Sequence, residues 1–235
     1  MKLLAFDTST ELLSIAVRHG HREWVHSGAG GAQSSAALIP CVLDLLAQAG
    51  LGTGDLDAIV FGRGPGSFTG LRTACSVAQG LAFGARQGLG TGVPVLPVDT
   101  LLAVAEAARM ESGATRVLAL LDARMGEVYS AAYCWEGTAW ACATEIGVGK
   151  PEQLALPAGQ HWVLAGNIWA AYGDRLSAPL MNLTRIEVVP NAPALLSLAP
   201  ALLAAGQGVS ADQALPLYIR DKVAQTTAER AAANR

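Results

Sequence analysis

Between Ala58 and Arg72 the chain passes from an apolar run of strand length, Ala58 to Phe61, straight into Gly62-Arg63-Gly64-Pro65-Gly66-Ser67-Phe68-Thr69-Gly70-Leu71-Arg72. A helical pattern then continues to about Arg86. Strand, glycine-rich turn and helix in that order predict α/β layers in which parallel strands are joined by crossovers. The turn fits neither common phosphate template. No Gly-Lys-Ser/Thr follows it, so it is not a P-loop, and Ser67 and Thr69 stand where the last glycine of G-x-G-x-x-G would fall. Two readings stay open for Gly64 and Gly66. Free N–H groups at a helix N-terminus cradle an anion, whereas small residues in a tight turn let the helix pack close to the sheet.

The flanking segments extend the α/β pattern. Leu3 to Phe6 and Leu12 to Val17 are apolar runs separated by the turn residues Thr8-Ser9-Thr10, which predicts a β-hairpin, and Glu23 to His26 adds a third strand. Ser27 to Gly31 reads as a flexible stretch. Ser34 or Ser35 then caps a helix that runs to about Ala49 and stops at Gly50, with Pro40 near its first turn. Val95 to Pro97 is a short strand, and Asp99 or Thr100 caps a helix over Leu101 to Arg109. From Arg116 the pattern restarts. Val117 to Leu121 is a strand, Asp122 to Gly126 a turn and Glu127 to Cys134 an alternating strand. A strand at Trp162 to Ala165, helices near Ile168 to Arg175 and Ala192 to Ala205, and a tail of helical composition at Ala224 to Arg235 complete the chain. The expected division is a first lobe at 1–110 and a smaller second lobe at 111–235, with the C-terminal helix packing back on the first.

Composition narrows the function. With 51% hydrophobic and 15% charged residues in 235, the chain has ample material for a core. A net charge of −3 and the lack of any basic run argue against a wide nucleic-acid face. Cys41, Cys75, Cys134 and Cys142 form no C-x-x-C pair and read as reduced core residues. Asp7 comes too early for a signal peptide, and no apolar run approaches the roughly 18 residues of a membrane helix, so a cytoplasmic location is expected.

Catalytic patterns are sparse. Pro65 stands where the first glycine of a G-x-S-x-G elbow around Ser67 must be. His19, His21, His26 and His161 supply no H-E-x-x-H spacing for a metallopeptidase. Asp7-Thr8-Ser9-Thr10 occupies the strand-to-strand turn that holds phosphates in actin-like ATPases. There Asp7 either coordinates magnesium or hydrogen-bonds its own turn. Asp122-Ala123-Arg124-Met125-Gly126-Glu127 sets three charges around a glycine turn, either as a surface hairpin with weak ion pairs or as part of a lobe interface.

Two helices carry more apolar surface than one contact needs. At about 100° per residue, Leu38, Ile39, Val42, Leu43, Leu45 and Leu46 spread over roughly 160°. The next helix combines Ala74, Ala78, Gly80, Ala82, Gly84 and Ala85 with Leu71, Val77, Leu81 and Phe83, a mixture suited to close helix packing. Together they form either a surface for another chain or an intramolecular layer.

The opening L-A-F-D-T-S-T-E, the phrase G-R-G-P-G-S-F-T-G-L-R, the phrase L-D-A-R-M-G-E-V-Y and the late P-L-Y-I-R at Pro216 to Arg220 resemble the TsaB (YeaZ) family over nearly the whole chain. The resemblance implies a two-lobed actin-like (ASKHA) fold. It also implies a non-catalytic scaffold that activates TsaD in threonylcarbamoyladenosine modification of tRNA at adenosine 37. TsaE, a P-loop ATPase, joins the assembly; tRNA is met through the complex; ATP and metal sit on the partner subunits, none on this one. The contact with TsaD, and a homodimer, are expected on Leu38, Ile39, Val42, Leu46, Leu71, Ala74, Val77, Ala78 and Leu81. A degenerate nucleotide site is expected at Asp7, Thr8, Ser9, Gly64 and Gly66. The alternative is an independent ATP-binding phosphotransferase or ATPase of the same fold. Many relatives carry His-Ser before the first helix; Gln33-Ser34-Ser35 stands here, with serine expected to keep the cap.

Overall fold

A computed structural model describes residues 1–85 and 92–220. The expected helical tail at Ala224 to Arg235 and the expected helix end at Arg86 lie outside the described residues.

The first sheet has the order β3-β2-β1-β4-β5. β1 (Lys2–Asp7), β2 (Leu12–His19) and β3 (Arg22–Ala29) form an antiparallel meander, and β4 (Ala58–Gly64) and β5 (Val95–Asp99) add parallel strands. β1 is apolar at every position from Leu3 to Phe6 because both faces of the sheet are covered. Leu4 and Phe6 face α1 (Ser34–Gln48) and α2 (Phe68–Gly84), while Leu3 and Ala5 face α3 (Thr100–Ser112) and α6 (Ala192–Ala204). A helix from late in the chain thus completes a layer on the first sheet.

The second sheet runs β11-β10-β6-β7-β8, with β9 also on β7. Its strands are β6 (Arg116–Arg124), β7 (Glu127–Trp135), β8 (Trp140–Cys142), β9 (Gly147–Gly149), β10 (Val163–Gly166) and β11 (Arg185–Glu187). The short helices α4 (Trp169–Tyr172) and α5 (Ala178–Met181) cover one face. α3 covers the other with Leu101, Val104, Ala105 and Ala108, while its Ala103 reaches the first sheet. Sandwiched between two sheets, α3 is rich in alanine because bulkier side chains would force the layers apart.

Glu106 is the buried charge in that layer. Its carboxylate accepts from Arg109 Nε at 2.8 Å, Trp140 Nε1 at 2.8 Å and Ser197 Oγ at 2.5 Å, which ties α3 to β8 and α6. Burial alone would raise its pKa, but these hydrogen bonds outweigh burial and hold it below the usual carboxylate value.

Several local expectations need correction. Ser27 to Ala29 is not a flexible stretch but the end of β3, paired with Leu12 to Ser14. Neither Ser34 nor Ser35 caps α1. A 3₁₀ turn at Gly31–Gln33 feeds the helix directly, and Gln33 at the cap position is already αR, so no extended residue is present to aim a hydroxyl at the free N–H groups. Ser34 Oγ is buried with no hydrogen-bond partner among the described residues. Pro40 falls in the second turn of α1. α2 starts at Phe68 and ends at Gly84; Ser67 caps it, its Oγ accepting from Gly70 N at 3.5 Å. Asp99 precedes α3 but makes no capping bond; its carboxylate accepts from Arg63 Nε at 2.6 Å.

Candidate functional site

The β1–β2 turn and the glycine-rich loop meet backbone to backbone. Ser67 N donates to Ser9 O at 2.8 Å, and Thr8 Oγ1 donates to Gly70 O at 2.7 Å. A Cβ on Gly66 would lie 2.6 Å from Ser9 O, and one on Gly70 would overlap Thr8 O. Gly64 is likewise pressed against Leu217 O, so close packing requires glycine at all three positions.

Asp7 sits beneath this joint, fully buried. Its Oδ1 accepts from Ser9 N at 2.8 Å and Ser9 Oγ at 2.6 Å, the self-bonded turn weighed from the sequence. Its Oδ2 is buried without a partner among the described residues and lies against Gly62, where a Cβ would overlap it. Burial pushes the carboxyl up to about 6, against the lowering effect of the two bonds from Ser9.

Above the joint a cleft of about 620 Å³ opens between the two sheets. Ser9, Ser67 and Phe68 line one wall, Asp122, Arg124 and Asn167 the other, and Leu217 to Arg220 cross it. Of the residues expected to hold a nucleotide, Ser9 and Gly66 reach this cleft. Asp7, Thr8 and Gly64 do not, since each is buried under the loop, Gly64 beneath Leu217 O. Among the described residues no cluster of three His, Cys, Asp or Glu side chains is placed to hold a metal ion.

The cleft residues that sequence reasoning missed are Phe68, Asn167 and Tyr218. Phe68 and Tyr218 stack with ring centroids 5.2 Å apart, and Arg72 lies 3.7 Å over Phe68 while donating to Tyr218 Oη at 3.1 Å. The phrase P-L-Y-I-R marked the segment, but nothing local showed that it crosses the cleft.

The helix pair is corrected residue by residue. Leu38, Val42 and Leu46 of α1, with Leu71, Ala74 and Ala78 of α2, are buried in this chain's own core and offer nothing to a partner. They are the half of each apolar arc that faces the sheet. Val77 and Leu81 are half-buried at its margin. The outward half carries Ile39, 44% exposed, Leu43, 51%, and Phe83, 79%. Gly80 is also exposed, and a Cβ there would meet nothing within 4 Å among the described residues.

Comparison with known proteins places this geometry. The family model described as "TsaD: tRNA N6-adenosine threonylcarbamoyltransferase" matches residues 25–228. The tRNA threonylcarbamoyladenosine biosynthesis protein TsaB of Escherichia coli is 37% identical over 95% of this chain and 96% of its own length. The chain belongs to the TsaB family of TsaD-like proteins. The Haemophilus influenzae TsaB is 36% identical, with 95% of both chains covered. The solved structure of YeaZ from Pseudomonas aeruginosa superposes with a TM-score of 0.84 at 41% identity, covering 92% of this chain and 99% of that one. The TsaB fold is the two-sheet α/β architecture described above, of the actin-like (ASKHA) type.

Proposed function

We propose that this chain acts in threonylcarbamoyladenosine formation on tRNA as a non-catalytic subunit that binds and activates TsaD through the outer face of α1 and α2. The single observation that carries the reading is that face. It exposes Ile39 and Leu43 on α1 and Phe83 on α2, which also carries Gly80, a helix-interior glycine whose Cβ would meet nothing within 4 Å among the described residues. Glycine in a helix interior is destabilising, so its presence suits close approach by another helix. The names of the relatives support a place in the tRNA pathway, not an independent ATPase. TsaE and tRNA are reached through the complex, the isolated protein uses the same face for a homodimer, and the work is cytoplasmic. The division falls near residue 110, with α6 of the later part packed back on the first sheet.

Leu43→Asp and Phe83→Asp test this. Each puts a charge into an apolar contact and is expected to weaken TsaD binding by roughly 30-fold, the hot-spot range, measured by titration calorimetry, with the unfolding midpoint unchanged because both side chains are exposed. Native affinity in both variants would place the contact elsewhere.

A further inference from the structure

The β6–β7 hairpin tip reaches across the cleft in a backbone conformation that side-chain-bearing residues avoid. Arg124, Met125 and Gly126 follow one another with φ of 61°, 57° and 78°. A two-residue hairpin turn with both φ positive favours Asn-Gly; methionine in the left-handed region is disfavoured. Such conformations persist where surrounding contacts over-determine them, and here contacts arrive from two sides. From the β1–β2 turn, Glu11 pairs with Arg124 at 2.7 Å. From the C-terminal segment, Arg220 pairs with Glu127, donates to Arg124 O at 3.5 Å and meets Met125 Sδ at 3.3 Å.

Arg220 is carried by the first sheet although it comes late in the chain. Leu217 N donates to Arg63 O at 2.7 Å, and Tyr218 stacks on Phe68. Both ion pairs therefore run from the first-sheet side to the second-sheet hairpin, across the mouth of the cleft. They differ in exposure. Glu11 and Arg124 are 79% and 69% exposed, whereas Arg220 is only 15% exposed.

We propose that Glu11–Arg124 and Glu127–Arg220 form a two-point clamp that sets the closure of the interlobe cleft, and that the cleft opens when both are broken. Screening at high salt releases the exposed pair first and the half-buried pair later. Closure is thereby built into the chain's own charges.

The test uses the full chain with Glu11→Gln, Arg220→Met and the double variant. Hydrogen exchange at residues 123–128 is expected to quicken about tenfold in the double variant, the factor two ion pairs of ordinary surface strength supply together. β1 and β6 interior amides should keep native protection, and the radius of gyration from small-angle scattering should rise. The swap Glu127→Arg with Arg220→Glu is expected to restore slow exchange at the tip. Unchanged exchange in the double variant overturns the clamp, as does faster exchange shared with β1, which is general unfolding. A loosened tip with an unchanged radius of gyration overturns control of closure.

Discussion

Replacing Gly80 with alanine separates a glycine kept for the chain's own folding from one kept for a neighbour. Gly80 lies in the interior of α2, and an added Cβ meets nothing within 4 Å among the described residues. The methyl group therefore adds no clash, and the gain is the helix-propensity difference, about 0.8 kcal/mol. For a chain of this size that corresponds to a rise of roughly 2 °C in Tm. The assay is urea and thermal unfolding at a dilution where light scattering gives the monomer mass, so that self-association does not contribute. Gly80→Leu should be folded as well, but its larger side chain should keep a partner helix at a distance and lower TsaD affinity. Destabilisation of the monomer by alanine would refute the claim that the site is open. Native TsaD affinity in Gly80→Leu would refute close approach at this point.

Two buried carboxyls give further predictions of opposite sign. Asp7 has its folded pKa raised to about 6, so its unfolded form releases the proton first and stability falls as pH rises from about 4 to 6. Between pH 5 and about 7.5 the native protein should lose about 1 kcal/mol more than Asp7→Asn does, read by urea melts at both values; equal losses would show that Asp7 is not buried as a charge. Glu106 has its folded pKa depressed, so its contribution is complete above the unfolded value and is lost as pH falls through the folded one. Glu106→Ala leaves Arg109, Trp140 and Ser197 without their acceptor and should cost about 3 kcal/mol in unfolding free energy at neutral pH.

Much of the fold was legible from local pattern. The both-face burial of β1 shows as an unbroken apolar run and the glycine-rich phrase as a strand-to-helix turn, because side-chain periodicity and glycine placement record local backbone geometry. The alternation expected of β7 is not found, since Val128 and Ala132 are buried on one face and Tyr129, Ala131 and Tyr133 on the other. The cap of α1 was misread for a local reason. A 3₁₀ turn upstream had already placed Gln33 in helical conformation, which leaves Ser34 inside the helix.

The candidate site was legible as a set of segments, not as an arrangement. An apolar arc on α1 or α2 looks the same whichever side the sheet lies on. Only the packing showed that Leu38, Val42, Leu46, Leu71, Ala74 and Ala78 face inward and that Ile39, Leu43 and Phe83 face out. Family membership likewise rests on the chain's own phrases, whereas the burial of Asp7 against Gly62 and the ion pair of Arg220 with Glu127 join residues far apart in sequence. The sequence by itself determined the longer elements, their order and the family, since these depend on neighbouring residues, whereas the short β8, β9, β11 and α5 left no such pattern. The tertiary structure decided which faces stay exposed and which charges meet across the cleft, since desolvation and charge pairing depend on what the folded chain brings alongside.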